Sequence, residues 1–261
     1  MERVPLSVVI LTKNEERNIK DCLESVFGWA DEIIVIDDES VDRTVEIVQR
    51  YTDKVFIKKM DIEGRHRNWA ASKAKNDWVL MIDADERVTP ELQEEIDEIL
   101  SKNDKKIVAY WIPQKAYLGS KWLRYGGWNA PHIKFYNKNY LKWKEDLAEV
   151  VHCGIEIKKG FQGRNLRSYL IHYNYKNIES FISKVNRQTT LQAIKWYLQG
   201  RKMSLLHGAW RSLDRFWRRY VRKKGYRDGY YGFVAAVLSG FYEFAAYSKL
   251  REIREKGTYL E

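Results

Sequence analysis

A chain of 261 residues that is 44% hydrophobic and 31% charged holds enough apolar side chains for a sizeable core, which excludes an intrinsically disordered protein. Its two cysteines, Cys22 and Cys153, lack the spacing of a zinc finger or a disulfide scaffold and favour a reducing compartment. The net charge of +10 is uneven, because residues 1–175 hold 28 Lys and Arg against 29 Asp and Glu, whereas residues 176–261 hold 18 against 7. We therefore expect the last third to face an anionic partner.

The first half alternates strand and helix signals. The run LSVVILT is too short for a signal peptide and is interpreted as a buried strand, after which Ile19, Leu23 and Val26 recur at helical spacing. Three more strands are predicted over DEIIVID, DKVFIKK and DWVLMID, separated by helices over DRTVEIVQRY and GRHRNWAASKAK. Strands that alternate with helices predict an α/β fold, with a mostly parallel sheet covered by helices on both faces.

Polar residues follow three of these predicted strands. Open α/β sheets bind ligands beyond the carboxyl ends of their strands. Each polar residue taken alone could cap a helix or belong to a solvated loop, but their coincidence at three strand ends favours a binding site. The residues concerned are Thr12, Lys13, Asn14 and Glu15 after the first strand, Asp37 and Asp38 after the second, and Asp83 and Asp85 after the fourth.

The Asp83-Ala84-Asp85 tripeptide predicts a cation site. In an extended chain alternate side chains point the same way, so Asp83 and Asp85 present two carboxylates together. Two close carboxylates repel each other unless a cation or a hydrogen-bond donor compensates. Mg²⁺ and Mn²⁺ prefer oxygen ligands and commonly bind through one or two carboxylates plus substrate phosphate. We therefore expect a phosphate-bound divalent cation here.

These motifs resemble the family 2 glycosyltransferases of the GT-A fold over most of the chain. The resemblance lies in VVILTKNEERNI, DEIIVIDDESVDRT, GRHRNWA and WVLMIDADERVT. Further on, GGW at 126–128, LIHYNY at 170–175 and KKGYRDGYYG at 223–232 resemble the subgroup that includes lipopolysaccharide-core β-1,4-glucosyltransferases. The resemblance implies a catalytic domain over residues 1–175, followed by a basic helical region over residues 176–261.

The resemblance also implies a nucleotide-sugar site with assigned roles. Asp37 would hold the uracil or ribose, Asp83 a ribose hydroxyl, and Arg67 the base and diphosphate, unless Arg67 is only a solvated helix-terminal residue. Asp85 would bind the Mg²⁺ or Mn²⁺ ion that bridges the diphosphate, and His172 would add an imidazole beside it, although a lone His in such a run is often a core residue. The implied nucleotide-sugar residues are Thr12, Asn14, Glu15, Asp37, Arg67 and Asp83.

An inverting transfer needs a base that deprotonates the acceptor hydroxyl. The related enzymes carry this base in a His-Glu pair. The stretch EDLAEVVHCG has no such pair, because Ala148-Glu149 and His152-Cys153 each match only one half of it. Glu149 is the preferred candidate, with Asp146 and Glu145 as rivals and His152 as a base or an orienting partner. Each of these acids could also simply belong to a solvated loop or helix.

Aromatic residues between the two halves suit an acceptor cleft, because ring faces stack on sugars. Trp122 and Trp128, which flank Gly126 and Gly127, are the candidates, and the alternative is the edge of a Trp-rich core.

The basic tail predicts helices at a membrane surface. Leu206, Trp210, Leu213, Trp217 and Val221 recur at helical spacing, and a second stripe holds Arg211, Arg215, Arg218 and Arg222. Basic amphipathic helices with tryptophans commonly lie in the membrane interface, attracted by anionic lipid. The following run from Asp228 to Leu250 contains Glu243 near its middle, so we expect it to pack on its neighbour or dip into the interface rather than cross the bilayer. The protein would then work at the cytoplasmic face of a membrane, on a glycan or lipid-linked acceptor.

Three other function classes are alternatives to a glycosyltransferase. Basic and aromatic residues also mark single-stranded nucleic-acid binders, but an acidic sheet edge would repel phosphate without a metal, so we expect no nucleic-acid partner. Sugar-phosphate nucleotidyltransferases share the α/β layout and the metal, yet they carry a Gly-rich loop after the first strand, where LTKNEERN has no glycine. A catalytically silent protein that binds nucleotide sugars or lipid stays open, because the base is not identified.

Overall fold

The computed structural model describes residues 4–102, 104–145 and 153–257. These residues form two compact units. The sheet unit comprises the described residues up to 114 together with 130–145 and 153–172, and the helical unit comprises 115–129 and 173–257. The division at residue 175 stays a prediction.

The sheet unit is built on a seven-stranded sheet in the order β12-β6-β9-β4-β1-β2-β3. Its strands are β1 (Val4–Thr12), β2 (Ala30–Asp37), β3 (Val55–Ile57), β4 (Trp78–Asp83), β6 (Ile107–Ile112), β9 (His132–Asn137) and β12 (Gln162–Asn165). The pairs β1·β2, β1·β4, β2·β3 and β12·β6 are parallel, whereas β9 runs antiparallel to both β4 and β6. The mostly parallel sheet expected from the sequence is therefore present.

Helices and short strands complete the sheet unit. The helices are α1 (Ile19–Glu24), α2 (Thr44–Val48), α3 (Glu63–Ser72) and α4 (Pro90–Lys102). The short strands are β5 (Glu86–Val88), which pairs with the start of β13 (Leu170–Tyr175), and β10 (Leu141–Trp143), which pairs with β11 (Ile155–Ile157).

The central strands are buried on both faces, as their uninterrupted apolar runs predict. In β1, Val8 and Ile10 pack into one apolar cluster and Val9 packs into the other, because successive side chains alternate between the faces. Residues of α1, α2 and α4 cover the first face, and α3 covers the second through small residues such as Ala70 and Ala71.

The register of the central strands decides which residues share an edge. Thr12 lies beside Asp37 across β1 and β2, and Leu11 lies beside Asp83 across β1 and β4. The carboxyl ends of all three strands therefore finish at the same level, which brings together the polar residues that follow them.

The opposite edge of the sheet carries a buried polar cluster around Glu32. Its carboxylate accepts hydrogen bonds from Ser7, from the ammonium of Lys54 and, at 2.8 Å, from the backbone N–H of Lys75. Asn76 donates in turn to the Ser7 hydroxyl. Burial opposes ionisation, but these donors outweigh it and lower the pKa of Glu32 below its usual value.

The helical unit packs three helices around small residues. These are α5 (Ile178–Leu198), α6 (Leu205–Trp217) and α7 (Gly229–Lys256), with a π-helical turn at Arg218–Arg222 and a 3-10 turn at Gly225–Asp228. A short hairpin of β7 (Gln114–Leu118) and β8 (Lys121–Trp122) precedes them. A Cβ atom added at Gly208 would lie 2.7 Å from the Tyr247 ring, and one added at Gly240 would lie 2.9 Å from the Ser212 carbonyl oxygen. Helices α6 and α7 can therefore approach closely only because these residues are glycine.

Glu243 is buried in the middle of apolar α7 because two arginines of α6 neutralise it. Its carboxylate pairs with Arg211 at 2.7 Å and also with Arg215. The acid in this apolar run therefore joins two helices. Within the described residues, no helix combines the length and apolar character needed to cross a bilayer.

Replacement of Glu32 by Gln should lower the free energy of unfolding by about 1.5–3 kcal/mol at pH 7, because hydrogen bonds to a charged group contribute roughly that much. The folded-state pKa of Glu32 is lowered, so its stabilisation is complete above about pH 5 and is lost as the pH falls through that pKa. Urea denaturation of both proteins should show the difference narrowing towards pH 4.

The control is Glu46→Gln, which removes an exposed ion pair with Arg50 and should change stability by no more than about 0.5 kcal/mol. A difference for Glu32→Gln that stayed constant from pH 7 to pH 4 would contradict the assignment.

Candidate functional site

The candidate site lies at the carboxyl edge of the large sheet. There, Thr12 and Asp37 end adjacent strands, and both side chains are buried. Asp37 accepts a hydrogen bond from the N–H of Ser40 through Oδ2, at 2.7 Å. Among the described residues, the Thr12 hydroxyl and Asp37 Oδ1 have no hydrogen-bond partner. An unsatisfied buried polar atom costs about 1–3 kcal/mol, so this pair is suited to a polar ligand.

Asn14 and Glu15 shape the loop that follows β1. Asn14 adopts a φ of +54°, a conformation that asparagine tolerates better than most residues, and its side-chain oxygen accepts from the N–H of Val41 at 2.8 Å. The N–H of Glu15 donates to the Thr44 hydroxyl, also at 2.8 Å. These bonds tie the loop after β1 to the loop after β2.

Asp38 is held beside this loop by two donors. Lys13 contacts its Oδ2 at 2.9 Å and the N–H of Met60 donates to its Oδ1 at 2.8 Å. Burial would raise the pKa of Asp38, but Lys13 and the N–H of Met60 lower it below the usual value. Both Asp38 oxygens are therefore engaged within the protein.

Arg67 lies on α3 with its guanidinium held in place. It bonds to Glu63 at 2.9 Å, and its central carbon stacks 4.9 Å from the centre of the Trp143 ring. Burial would raise the pKa of Asp83, but the charges of Lys134 and Arg67 lower it well below its usual range. Arg67 thus adds positive potential near Asp83, and its role towards the base and diphosphate stays a prediction.

The first aspartate of the tripeptide is neutralised by Lys134. The ammonium of Lys134, a buried residue of β9, contacts Asp83 Oδ2 and Glu86 Oε2 at 2.7 Å each. Burial raises the pKa of Glu86 above its usual value, and the ammonium of Lys134 offsets only part of that effect. The N–H of Asp83 donates to the same Glu86 oxygen at 2.9 Å.

The second aspartate faces His172. Asp85 Oδ2 lies 3.2 Å from Nε2 of His172, which is brought there by the pairing of β13 with β5. The other ring nitrogen, Nδ1, lies 2.9 Å from Oε1 of buried Gln114. The structure thus brings together Asp85 and His172, the two residues that the sequence analysis proposes as metal ligands.

The donor set of this pair suits a hard divalent cation. Neighbouring ligands of an octahedral ion with bonds of about 2.1 Å lie about 3 Å apart, and the Asp85–His172 separation of 3.2 Å is close to that value. Within the described residues, no three His, Cys, Asp or Glu side chains are arranged to hold a metal by themselves. An ion at this pair would need further oxygen ligands, as Mg²⁺ typically receives from phosphate and water.

The candidate bases Glu149, Asp146 and His152 lie outside the described residues. Their rival Glu145 accepts a hydrogen bond from Asn68 of α3 at 2.8 Å and lies 3.7 Å from Arg65. The identity of the base stays a prediction.

The two candidate acceptor tryptophans have different surroundings in the helical unit. The half-buried Trp122 ring has the guanidinium carbon of Arg124 4.3 Å from its centre. Trp128 packs edge-on against Tyr175 and Phe181 in an apolar cluster, and Arg219 stacks on it at 4.2 Å. The core-edge alternative therefore describes the packing of Trp128, and the acceptor role of both rings stays a prediction.

Three residues of this network have no role in the sequence analysis, namely Lys134, Glu86 and Gln114. The signal for Lys134 is a lysine inside the strand-like run HIKFY, which must be paired if the strand is buried. Gln114 carries no signal of its own, because its partners Glu86 and His172 lie 28 and 58 residues away in the chain, and Glu86 meets Lys134 across 48 residues.

Comparisons with known proteins agree with the motifs. The sequence model of Glycosyl transferase family 2 matches residues 7–161. An uncharacterised glycosyltransferase of Rickettsia typhi is 33% identical over 257 residues, which cover 96% of this chain and 88% of that protein. The lipopolysaccharide core biosynthesis glycosyltransferase LpsC of Rhizobium meliloti is 28% identical over 257 residues, covering 95% and 92% of the two chains.

Among solved structures, S. aureus TarS 1–349 in complex with UDP-GlcNAc overlaps 98% of this chain and 93% of its own, with a TM-score of 0.47 and 15% identity. The α/β class with a large, mostly parallel sheet is confirmed, and the match to residues 7–161 separates the chain from the nucleotidyltransferase alternative. A family match over more than half of the chain, together with relatives that align along nearly all of it, establishes that this protein belongs to glycosyl transferase family 2.

Proposed function

We propose that the protein is a metal-dependent, inverting hexosyltransferase that moves a sugar from a uridine diphosphate donor, such as UDP-glucose, to a glycan or lipid-linked acceptor. The observation that carries this proposal is the convergence of Asp85 and His172 at 3.2 Å, next to Asp83 at the carboxyl edge of the sheet. This is where open α/β sheets bind their ligands.

The nucleoside would bind at the ends of β1 and β2. The Thr12 hydroxyl and Asp37 Oδ1 are buried polar atoms that a uracil base can satisfy. Asn14 and Glu15 border this pocket, and Asp83 accepts from a ribose hydroxyl. Arg67 supplies positive charge towards the diphosphate, because its guanidinium is already oriented by Glu63.

Asp85 and His172 would hold Mg²⁺ or Mn²⁺. When bound, the ion supplies Lewis-acid stabilisation of the departing nucleoside diphosphate. Lys134 pairs with both Asp83 and Glu86, so Asp85 is the carboxylate of this cluster to which we assign the cation.

Inversion requires a base that takes the proton of the acceptor hydroxyl as the sugar is transferred. We assign this role to Glu149, with Asp146 and His152 as the alternatives. Trp122 and Trp128 are the candidates for stacking on the acceptor sugar, and Trp122 is preferred because Trp128 is engaged in a core cluster.

A lipopolysaccharide core is the proposed acceptor class. The support is the name of the Rhizobium meliloti relative, which is 28% identical along 95% of this chain. Such an acceptor is embedded in a membrane, so the enzyme needs to reach a lipid surface.

The helical unit carries a surface suited to that task, which we call the apolar face: Leu206, Trp210, Leu213 and Trp217, which recur at helical spacing along α6 and are all exposed. Leu206 is 81% exposed and Leu213 is 70% exposed, although both are large apolar side chains. Helix α7 exposes further apolar side chains at Phe233, Val237 and Phe241. Exposed apolar patches of this kind mark interaction sites.

Charge favours a lipid surface as the partner of the apolar face. The exposed residues Arg218 and Arg222 follow it directly in the chain, and a basic helix with exposed tryptophans binds anionic lipid. The four arginines do not act as one stripe, however, because Arg211 and Arg215 are paired with buried Glu243, whereas Arg218 pairs with Asp214 at the surface, at 2.8 Å. We therefore place the enzyme peripherally on the cytoplasmic face of the membrane, held by the apolar face and by Arg218 and Arg222.

Asp85→Ala should abolish metal-dependent turnover of the donor, with a loss of at least about 100-fold, because it removes the proposed carboxylate ligand. The measurement is release of UDP from a panel of UDP-sugars with Mn²⁺ or Mg²⁺, with water as the acceptor. The matched control is Asp77→Ala, an exposed aspartate that precedes β4 at the opposite edge of the sheet. Activity that survives both Asp85→Ala and a strong chelator would refute the metal role.

Replacement of all four residues Leu206, Trp210, Leu213 and Trp217 by serine should release the protein from vesicles of phosphatidylcholine with about 30% phosphatidylglycerol, because it removes the apolar contact area. Arg218→Glu with Arg222→Glu should weaken binding only at low salt, since these charges act through screened attraction. Vesicle flotation measures both effects.

The matched control for the apolar face is Val41→Ser with Ile57→Ser, two exposed apolar residues of the sheet unit. Unchanged flotation of the quadruple variant would remove the membrane proposal. A wild-type dimer that the same substitutions convert to a monomer would assign the apolar face to a second copy of the chain instead.

A further inference from the structure

A buried chain of side chains leads from Lys134 to the proposed metal ligands. Lys134 contacts Glu86 Oε2 at 2.7 Å, and Glu86 Oε1 accepts from Gln114 Nε2 at 2.8 Å. Gln114 Oε1 then lies 2.9 Å from His172 Nδ1, and His172 Nε2 lies 3.2 Å from Asp85 Oδ2. Glu86, Gln114 and Lys134 are each no more than 5% exposed. Water therefore has little access to these three residues, and their hydrogen bonds fix the direction of every donor.

Charge sets the orientation of the Gln114 amide. Glu86 is bonded to the ammonium of Lys134 and to the N–H of Asp83, so it is a carboxylate that only accepts hydrogen bonds. The NH₂ group of Gln114 must therefore face Glu86, which turns its carbonyl oxygen towards His172.

The amide orientation determines the tautomer of His172. A carbonyl oxygen accepts but cannot donate, so Nδ1 of His172 must carry the proton. Nε2 is then the ring nitrogen that faces the carboxylate of Asp85. Without a metal it can donate a proton to that carboxylate, and when a cation binds it can release the proton and offer its lone pair, as metal-binding histidines do.

We propose that Gln114, held by Glu86, is a positioning residue that fixes the Nδ1–H tautomer of His172, so that Nε2 and Asp85 form a ready two-ligand site for a divalent cation. Metal-binding histidines commonly donate their second ring N–H to a fixed acceptor, which orients the ring. The ligand half of this inference rests on the metal site of the proposed function, whereas the tautomer half does not.

The tautomer is measured on the metal-free protein by long-range ¹H–¹⁵N NMR of labelled histidine side chains. The chain has five histidines, and the signals that His172→Gln removes identify His172. We expect a protonated Nδ1 in the wild type, and a loss of that proton in favour of the Nε2–H tautomer in Gln114→Met, where no acceptor faces Nδ1. The matched control is Gln93→Met, which removes a half-buried amide that donates to the Ser25 carbonyl, outside this network.

The second measurement is the affinity for Mn²⁺ in the presence of UDP, read from the electron paramagnetic resonance of free Mn²⁺. Gln114→Met should weaken Mn²⁺ binding by about 10- to 100-fold, and Gln114→Glu, which keeps an acceptor for Nδ1–H, should retain more of it. Glu86→Gln should weaken binding too, because a neutral amide no longer dictates which way Gln114 points.

An unprotonated Nδ1 in the wild type, or the same protonation of Nδ1 in wild type and Gln114→Met, would overturn the proposal. So would a loss of stability in Gln114→Met with unchanged Mn²⁺ affinity, since that would show a merely structural role. If the tautomer shifts as expected but the wild type binds no Mn²⁺ with UDP, the metal site of the proposed function is refuted. The positioning of the imidazole by Gln114 is then still supported.

Discussion

Three carboxylates within four residues, at the end of a buried strand, must be compensated before the rest of this site can exist. Asp83, Asp85 and Glu86 repel one another at this sheet edge, where burial weakens the screening by water. Lys134 compensates two of them from β9, the strand that runs antiparallel beside β4. The third, Asp85, faces His172 instead. One lysine thus pairs with two of the three carboxylates, and the third, Asp85, is the one to which we assign a cation.

The two edges of the sheet use buried polar groups differently. At the amino edge, the carboxylate of Glu32 is satisfied by Ser7, Lys54 and the N–H of Lys75, so this cluster is complete within the protein. At the carboxyl edge, the Thr12 hydroxyl and Asp37 Oδ1 have no hydrogen-bond partner among the described residues. A satisfied polar cluster contributes to stability, whereas unsatisfied buried atoms are a cost that a ligand can remove.

The helical unit also contains a buried charge that is compensated by side chains of a neighbouring helix. Its longest helix buries Glu243, and the pairing of that acid with Arg211 and Arg215 holds both arginine side chains against α7. The side chains that α6 leaves exposed are therefore mainly apolar, with Leu206, Trp210, Leu213 and Trp217 in one row. The contact proposed with lipid thus depends more on apolar area than the arginine spacing in the sequence indicates.

The sequence by itself determined the α/β class, the family and the edge of the sheet where the candidate residues gather. Apolar runs such as DWVLMID predict strands because their composition is local information, and three such runs end in polar residues. Parallel pairing then places these ends at one edge, as the register of Thr12 with Asp37 confirms. The sequence also showed the basic excess of the last third and the helical spacing of its apolar residues.

Only the tertiary structure decided the partners of those residues. Gln114 meets Glu86 and His172 across separations of 28 and 58 residues, and Arg211 meets Glu243 across 32. A local pattern shows that a residue is charged or polar, but it holds no information about which distant group will compensate it. Whether an arginine is available to a membrane, or which nitrogen of His172 carries a proton, is set by those distant contacts, because charge and hydrogen-bond direction depend on the neighbours that folding brings together.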